Sequence, residues 1–305
     1  MSAPADPEVL VIGAGPAGLA AATYLARFRR RVLVVDAGAP RARWIPVSHN
    51  MPGFPNGITG DAILDRMTEQ AREYGAVIEA GRVEGLAREG DGFIARLNGR
   101  QVRARAVLLA TGVVDHQPDL PGVERAIERS LVRICPICDA YEARGQAIAV
   151  IGKDDKGARE AAFLRTYSDR VTLIHVGPPG ALTERAALQR LDVALIEAPI
   201  DTVRIEDDRV SALGWGGRFH AFDTVYSALG TSPNVGLAEA LGAAAADDGT
   251  LMVDAHQATS VDGLYAAGDV VRGLNQIAVA TAEAALAATA IHNRLREADG
   301  WTVRG

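Results

Sequence analysis

Two cysteines, and only two, occur in the 305 residues, and they stand three apart in Ile134-Cys135-Pro136-Ile137-Cys138-Asp139. One helical turn opening at Cys135 brings Cys138 beneath it, within reach of a disulfide, and the helix N-terminus lowers the pKa of the exposed thiol and favours its attacking thiolate. Asp139, one residue past the second sulfur, is placed to shuttle a proton as the pair opens and closes, provided that burial raises its pKa toward neutrality. Zinc would need two further ligands, and none of His49, His116, His175, His220, His256 and His292 forms a close H-x3-5-H pair. A purely structural bridge across so short a loop removes little chain entropy, so the reading preferred is redox chemistry: catalytic Cys135, Cys138 and Asp139.

The elements that must position this pair belong to a chain long enough for about two domains with buried cores. Its composition is that of an ordinary globular protein, with 48% apolar and 23% charged residues and 32 glycines. The net charge of −6 argues against nucleic acid as a partner. The N-terminal residues lack the basic and apolar regions of a signal peptide, and the late apolar stretch Ile277 to Ile291 is alanine-rich and contains Glu283, which fits a core helix and not a membrane span. A cytoplasmic, membrane-free protein is expected.

Glu8 to Ile12 reads as a buried parallel strand, followed at once by Gly13-Ala14-Gly15-Pro16-Ala17-Gly18 and an alanine-rich helix to about Phe28; Arg31 to Asp36 is the second strand. In such a unit Gly13 allows the turn, Gly15 lets backbone N–H groups reach a pyrophosphate, Gly18 packs helix on strand, and Asp36 accepts from a ribose hydroxyl. A Pro/Gly-rich loop, Met51 to Gly60, precedes a helix from Asp61 to Tyr74 and is of the kind that often covers a cofactor, with a plain connection the alternative. Phe93 to Leu97 and Arg100 to Ala104 form a hairpin through Asn98-Gly99, a type I′ pair, and the strand Ala106 to Ala110 runs into Thr111-Gly112. A hinge is expected at Pro118 to Gly122.

Beyond the cysteines the order repeats: strand Gln146 to Ile151, loop Gly152 to Gly157, helix to about Tyr167, strand Arg170 to Ile174, short strands near Val203, Val210 and Phe219, then Thr224 to Gly230 in the place that Val107 to Gly112 held earlier. Asp154 occupies the position of Gly15 in this second loop. Its Cβ obstructs backbone approach, and its carboxylate opposes a pyrophosphate unless Lys153 and Lys156 offset it. No arginine pair follows His175 to hold a 2′-phosphate. The chain then returns through a strand over Gly263 to Val271, with Gly268 and Asp269 at its end and Asn275 expected as N-cap of a helix beginning near Gln276.

Three signatures, Gly13-x-Gly15-x-x-Gly18, Cys135-x-x-Cys138-Asp139 and Ala267-Gly268-Asp269 followed by Asn275-Gln276-Ile277-Ala278, make the chain resemble the low-molecular-weight thioredoxin-reductase-like flavoproteins over nearly its whole length. The resemblance implies an α/β fold of two nested, Rossmann-like three-layer domains: a discontinuous FAD-binding domain, 1–117 plus 242–305, and an inserted NAD(P)-binding-like domain, 118–241, carrying the cysteines. It implies FAD held by Gly13, Gly15, Pro16, Ala17, Gly18, Asp36, Ala110, Thr111, Gly112, Gly268, Asp269, Asn275, Gln276, Ile277 and Ala278. It further implies a homodimer, with Cys138 facing the flavin, Cys135 exchanging with a thioredoxin-like protein or a small dithiol, and Asp139 donating a proton.

Ordinary members take hydride from NADPH through G-x-G-x-x-A/G and His-Arg-Arg, whereas Asp154 and Val176-Gly177 stand here. The resemblance is therefore closest to the branch that has lost pyridine nucleotide and uses ferredoxin, a second flavin or oxygen. NADPH-dependent thioredoxin reductase, a flavin-dependent dithiol oxidase and a non-catalytic flavin-binding module are the rival readings. Some members of that branch place a C-terminal aromatic against the flavin, a role open to Trp301, with packing on its own domain the alternative.

Overall fold

The computed structural model describes residues 6–118, 126, 131–200, 202–206, 209–271 and 273–303. In chain order, the first part comprises β1 (Val9–Ile12), α1 (Pro16–Arg27), β2 (Val32–Asp36), α2 (Gly60–Glu73), β3 (Val77–Ala80), β4 (Val83–Glu89), β5 (Gly92–Leu97), β6 (Arg100–Ala104), β7 (Ala106–Leu109) and β8 (Val113–Asp115). Then come β9 (Val132–Arg133), α3 (Pro136–Asp139), β10 (Ile148–Gly152), α4 (Asp155–Leu164), β11 (Val171–His175), α5 (Arg185–Arg190), β12 (Ala194–Ile196), β13 (Thr202–Glu206), β14 (Arg209–Trp215), β15 (Arg218–Ala221) and β16 (Thr224–Ala228). The last part holds β17 (Thr231–Pro233), α6 (Gly236–Glu239), β18 (Leu264–Ala266) and α7 (Ile277–Ala298).

Two parallel sheets organise these elements, in the orders β18-β7-β1-β2-β3 and β12-β11-β10-β16-β9. Each has a helical layer on one face and a three-stranded antiparallel sheet on the other. Alternation along the strands decides the sides. Val9 and Val11 of β1 pack with Leu19, Ala284 and Ile291 of α1 and α7, while Leu10 and Ile12 pack with Phe93, Leu97 and Val102 of the β4-β5-β6 sheet. In the second unit Ile148 and Val150 face Ala158 and Leu164 of α4, and Ala149 and Ile151 face Val210 and Leu213 of the β13-β14-β15 sheet. Strands wetted on neither face need no polar alternation, which is why β1, β7 and β10 read as continuous apolar runs.

The predicted hairpin turn is present, with both Asn98 (φ 49°) and Gly99 (φ 76°) in the left-handed region that type I′ requires. β4, which completes that sheet, went unpredicted because a register shift between Val83 and Gly85 takes its buried residues, Val83 and Leu86, out of strict alternation. Asn275 is not the cap of α7. Gln276 is, in extended conformation and with no side-chain capping bond, because its amide is engaged elsewhere.

The described chain passes between the two sheets as a short antiparallel ladder, β8 on β17, with Asp115 opposite Thr231. The expected hinge at 118–122 lies, beyond Pro118, outside the described residues. On the return, Val235 and Ala238 are already buried with Leu10 and Ile12 of the first unit, ahead of the expected crossing at 241/242.

Candidate active site

Cys135 and Cys138 form a disulfide with sulfurs 2.02 Å apart. Cys135 is the extended N-cap of α3 and Pro136 its first residue, a position that needs no N–H, and the Cys138 amide donates to the Cys135 carbonyl at 3.0 Å. The sequence therefore builds the turn that the spacing requires. Both cysteines are half-buried, and Ile137 between them is exposed.

Asp139 lies at the inner end of this turn. Burial pushes its carboxyl above the ordinary carboxylate range, against the opposing pull of the Arg133 guanidinium at 3.5 Å and the Tyr226 hydroxyl, which donates to Oδ1 at 2.7 Å. Arg133 also donates to the Asp139 carbonyl at 2.9 Å. Tyr226 is fully buried in β16, and burial together with Asp139 pushes its own pKa upward, so it stays a donor. A buried phenol needs a partner, and that was the one sequence signal for Tyr226.

The first glycine loop has room for a phosphate-bearing cofactor. A Cβ on Gly13 would lie 2.2 Å from the Ala110 carbonyl oxygen and one on Gly18 1.8 Å from that of Gly13, so packing alone demands both glycines. A Cβ on Gly15 would meet no protein atom within 4 Å. Gly15 caps α1 with no side-chain bond, and the first turn has no acidic residue, which leaves its N–H groups and positive dipole end for an anion. Asp36 Oδ1 accepts from the Ala14 amide at 3.3 Å and fastens the loop to β2. These residues fit the pyrophosphate end of a dinucleotide.

Of the other expected cofactor residues, Thr111 is tied to the return crossing by its hydroxyl, which donates to the Asn234 carbonyl at 2.7 Å, and Gly112 lies in the left-handed region at φ 62°. Gly268 sits against Ala17 and donates its amide to Glu283 at 2.8 Å. Burial holds Asp269 above its ordinary pKa, opposed by Arg41 at 3.3 Å; Arg41 also makes a two-pronged pair with Asp115 at 2.6 and 2.7 Å. Arg41 and Asp115 were not singled out from sequence.

Gln276 brings the two sheets' chemistry together. Its Nε2 lies 3.4 Å from the Cys135 sulfur and 3.5 Å from the Cys138 sulfur, so the N-terminus of α7 faces the disulfide. Asn50, at the mouth of the Pro/Gly loop, joins it from a third direction. Trp301 is elsewhere: it is 69% exposed, beside the Arg30 guanidinium at the far end of α7, about 33 Å along a 22-residue helix from Gln276. Among the described residues no cluster of histidine, cysteine and carboxylates suits a metal ion, and no helix is long and apolar enough to cross a membrane.

A paired dithiol turn, a buried acid behind it and an open glycine cradle on a neighbouring sheet define a disulfide oxidoreductase. A family model for pyridine nucleotide-disulphide oxidoreductases matches residues 7–284, and the chain belongs to that family. Thioredoxin reductase of Treponema pallidum (strain Nichols) is 32% identical over 302 residues, 93% of this chain and 96% of that protein. The crystal structure of HlmI superposes with a TM-score of 0.89 at 33% identity, covering 98% of this chain and 96% of the other. Thioredoxin reductase from Streptococcus pyogenes MGAS5005 gives 0.87 at 27% identity, covering 95% and 98%. Within the family the chain is a thioredoxin-reductase-like, FAD-dependent disulfide oxidoreductase.

Proposed function

We propose that the enzyme moves two electrons between FAD and a partner dithiol or disulfide through Cys135 and Cys138, without NADPH. The observation that carries the second half is a comparison of its two glycine loops. Gly152 and Gly157 keep the places of Gly13 and Gly18 because their Cα atoms pack together: a Cβ on either would stand 2.7 Å from the other's Cα. The one position that packing leaves free, and that only a ligand needs as glycine, is Asp154. Its carboxylate accepts from the Lys156 amide at 2.8 Å and occupies the N-terminus of α4 where a phosphate would bind. Asp155 adds a second negative charge to that turn. A Cβ at Gly177 would lie 1.9 Å from the Lys153 carbonyl oxygen, so this backbone excludes an arginine where the family places one.

In the half-reaction with a partner dithiol, the partner's thiolate attacks Cys135 and breaks the Cys135–Cys138 bond, and Cys138 leaves as a thiolate that takes its proton from Asp139. The partner's second thiol then displaces Cys135, so one partner disulfide forms and one protein dithiol remains. FAD, when bound by Gly13 to Gly18, Asp36, Ala110 to Gly112, Gly268, Asp269 and Asn275 to Ala278, supplies the two-electron store. The relatives' names support a thioredoxin-like protein as partner, and a small dithiol meets the same chemistry. The inserted, cysteine-bearing domain begins near residue 118 and ends at the β8-β17 ladder, earlier than 241, since Val235 and Ala238 belong to the first core. The family resemblance supports a homodimer, which a monomer in sedimentation would exclude.

Anaerobic mixing of the purified protein with NADPH, NADH and dithiothreitol in parallel tests the function. Bleaching of the flavin by dithiothreitol alone is expected. Rapid bleaching by NADPH would establish the conventional pyridine-nucleotide-dependent reaction instead, and purified protein without flavin would defeat the proposal.

A further inference from the structure

Every hydrogen of the Asn50 and Gln276 amides is accounted for. Gln276 Nε2 donates one to the Asn275 carbonyl at 3.0 Å and aims the other between the two sulfurs. Its Oε1 accepts from Asn50 Nδ2 at 2.8 Å, and the same nitrogen approaches the Ile137 carbonyl, between the cysteines, at 3.4 Å. Asn50 Oδ1 in turn accepts from the hydroxyl of Ser48, a residue only 3% exposed. The orientation of both amides is forced, because the Asn275 and Ile137 carbonyls can only accept and therefore require an NH2 group in front of them. The result is a one-way chain of donors from Ser48 through Asn50 and Gln276 to the redox sulfurs.

We propose that this chain sets the chemistry of the cysteine pair: Gln276 touches the reacting sulfurs and favours their reduced, thiolate form, and Asn50 is a positioning residue that holds the Gln276 NH2 toward them. The inference rests on the reading of Cys135 and Cys138 as the redox pair. A neutral disulfide sulfur is a poor acceptor, whereas the thiolate formed on reduction makes a charge-assisted bond to the same N–H, so the contact strengthens as the S–S bond accepts two electrons and opens. Asn50 and Gln276 come from different elements and meet only beside α3, so the chain is complete only when the cysteine turn is docked against α7.

The test equilibrates the flavin-loaded protein with graded ratios of reduced and oxidised dithiothreitol, which supplies and accepts the electron pair. After quenching, the free thiols are counted by alkylation and mass, and the rate of alkylation is followed against pH. Gln276→Met, which keeps length and loses the amide, is expected to lower the equilibrium constant for reduction about tenfold, about 30 mV for this two-electron couple, and to raise the pH midpoint of alkylation. Asn50→Ala shifts both the same way by less, and the double variant matches Gln276→Met alone, since Asn50 acts through Gln276. Additive effects of the two, or an unchanged equilibrium in Gln276→Met, would overturn the relay. Because the readout is on thiols, it is separate from the functional reading, which fails instead if wild-type protein carries no flavin or its flavin is not reduced by the dithiol.

Discussion

Asp139 is poised between influences that pull in opposite directions. Burial favours its neutral acid; Arg133 and the Tyr226 hydroxyl favour the carboxylate. Removing the hydroxyl leaves burial with less opposition. Tyr226→Phe, which fills the same buried volume, is expected to raise the Asp139 pKa further and to move the corresponding limb of the pH profile of dithiol exchange upward by about one unit, the size of a single charge-assisted hydrogen bond. An unshifted profile would show that Asp139 is not the group titrating in exchange. At this scale the sequence displayed what lies close together in it: two sulfurs and an acid in five residues. Tyr226 is 87 residues from Asp139, and Asn50 is 226 from Gln276, so no local spacing could announce either contact.

The two helix N-termini, α1 and α4, start from the same strand-loop-helix pattern and end with opposite electrostatics. α1 offers uncapped amides, whereas α4 satisfies its own with Asp154. Asp154→Gly removes the capping carboxylate and opens the backbone, so the variant is expected to gain measurable NADP+ affinity by calorimetry while losing roughly 1 kcal/mol of stability with the cap. Equal nucleotide binding by both proteins would mean that Gly177 and its surroundings, and not the cap, close the site. Elements of this kind were legible because apolar strands and glycine loops leave local marks. β3, α5 and β12 were not, since their short spans and partly exposed residues leave no run or period of useful length. The missed cap of α7 has a comparable cause: Gln276 is a poor capping type that holds the position because its amide serves the disulfide.

Across the whole molecule, Glu160 of α4 in the second unit is influenced by Arg41 and Asp115 of the first; its carboxyl is pushed up to about 7, first by burial and then by Asp154 and Asp115, with Lys156 and Arg41 opposing. Its Oε2 is buried without a hydrogen-bond partner. A carboxyl whose pKa is raised in the folded state contributes stability below its unfolded value of 4.5, and that contribution is lost as pH rises through about 7. Glu160→Gln should therefore be more stable than wild type at pH 8 by on the order of 1–3 kcal/mol, and the two should converge near pH 4. Thermal melts at the two pH values measure the difference, and a constant gap would exclude ionisation of Glu160 as its source. The nested order of the two units was readable from the repeat; this charged seam was not, because Arg41, Asp115, Asp269 and Glu160 lie on segments scattered along the chain.

The β8-β17 ladder has a practical corollary. Since Asp115 and Thr231 face one another as ladder partners, the ends exposed by excising everything between them already lie side by side. A two-residue reverse turn of the Asn-Gly sort, sewn in their place, would close the gap without stretching either strand. A shortened gene made this way is a route to the glycine cradle and α7 in isolation, freed of the cysteine turn that leans on them.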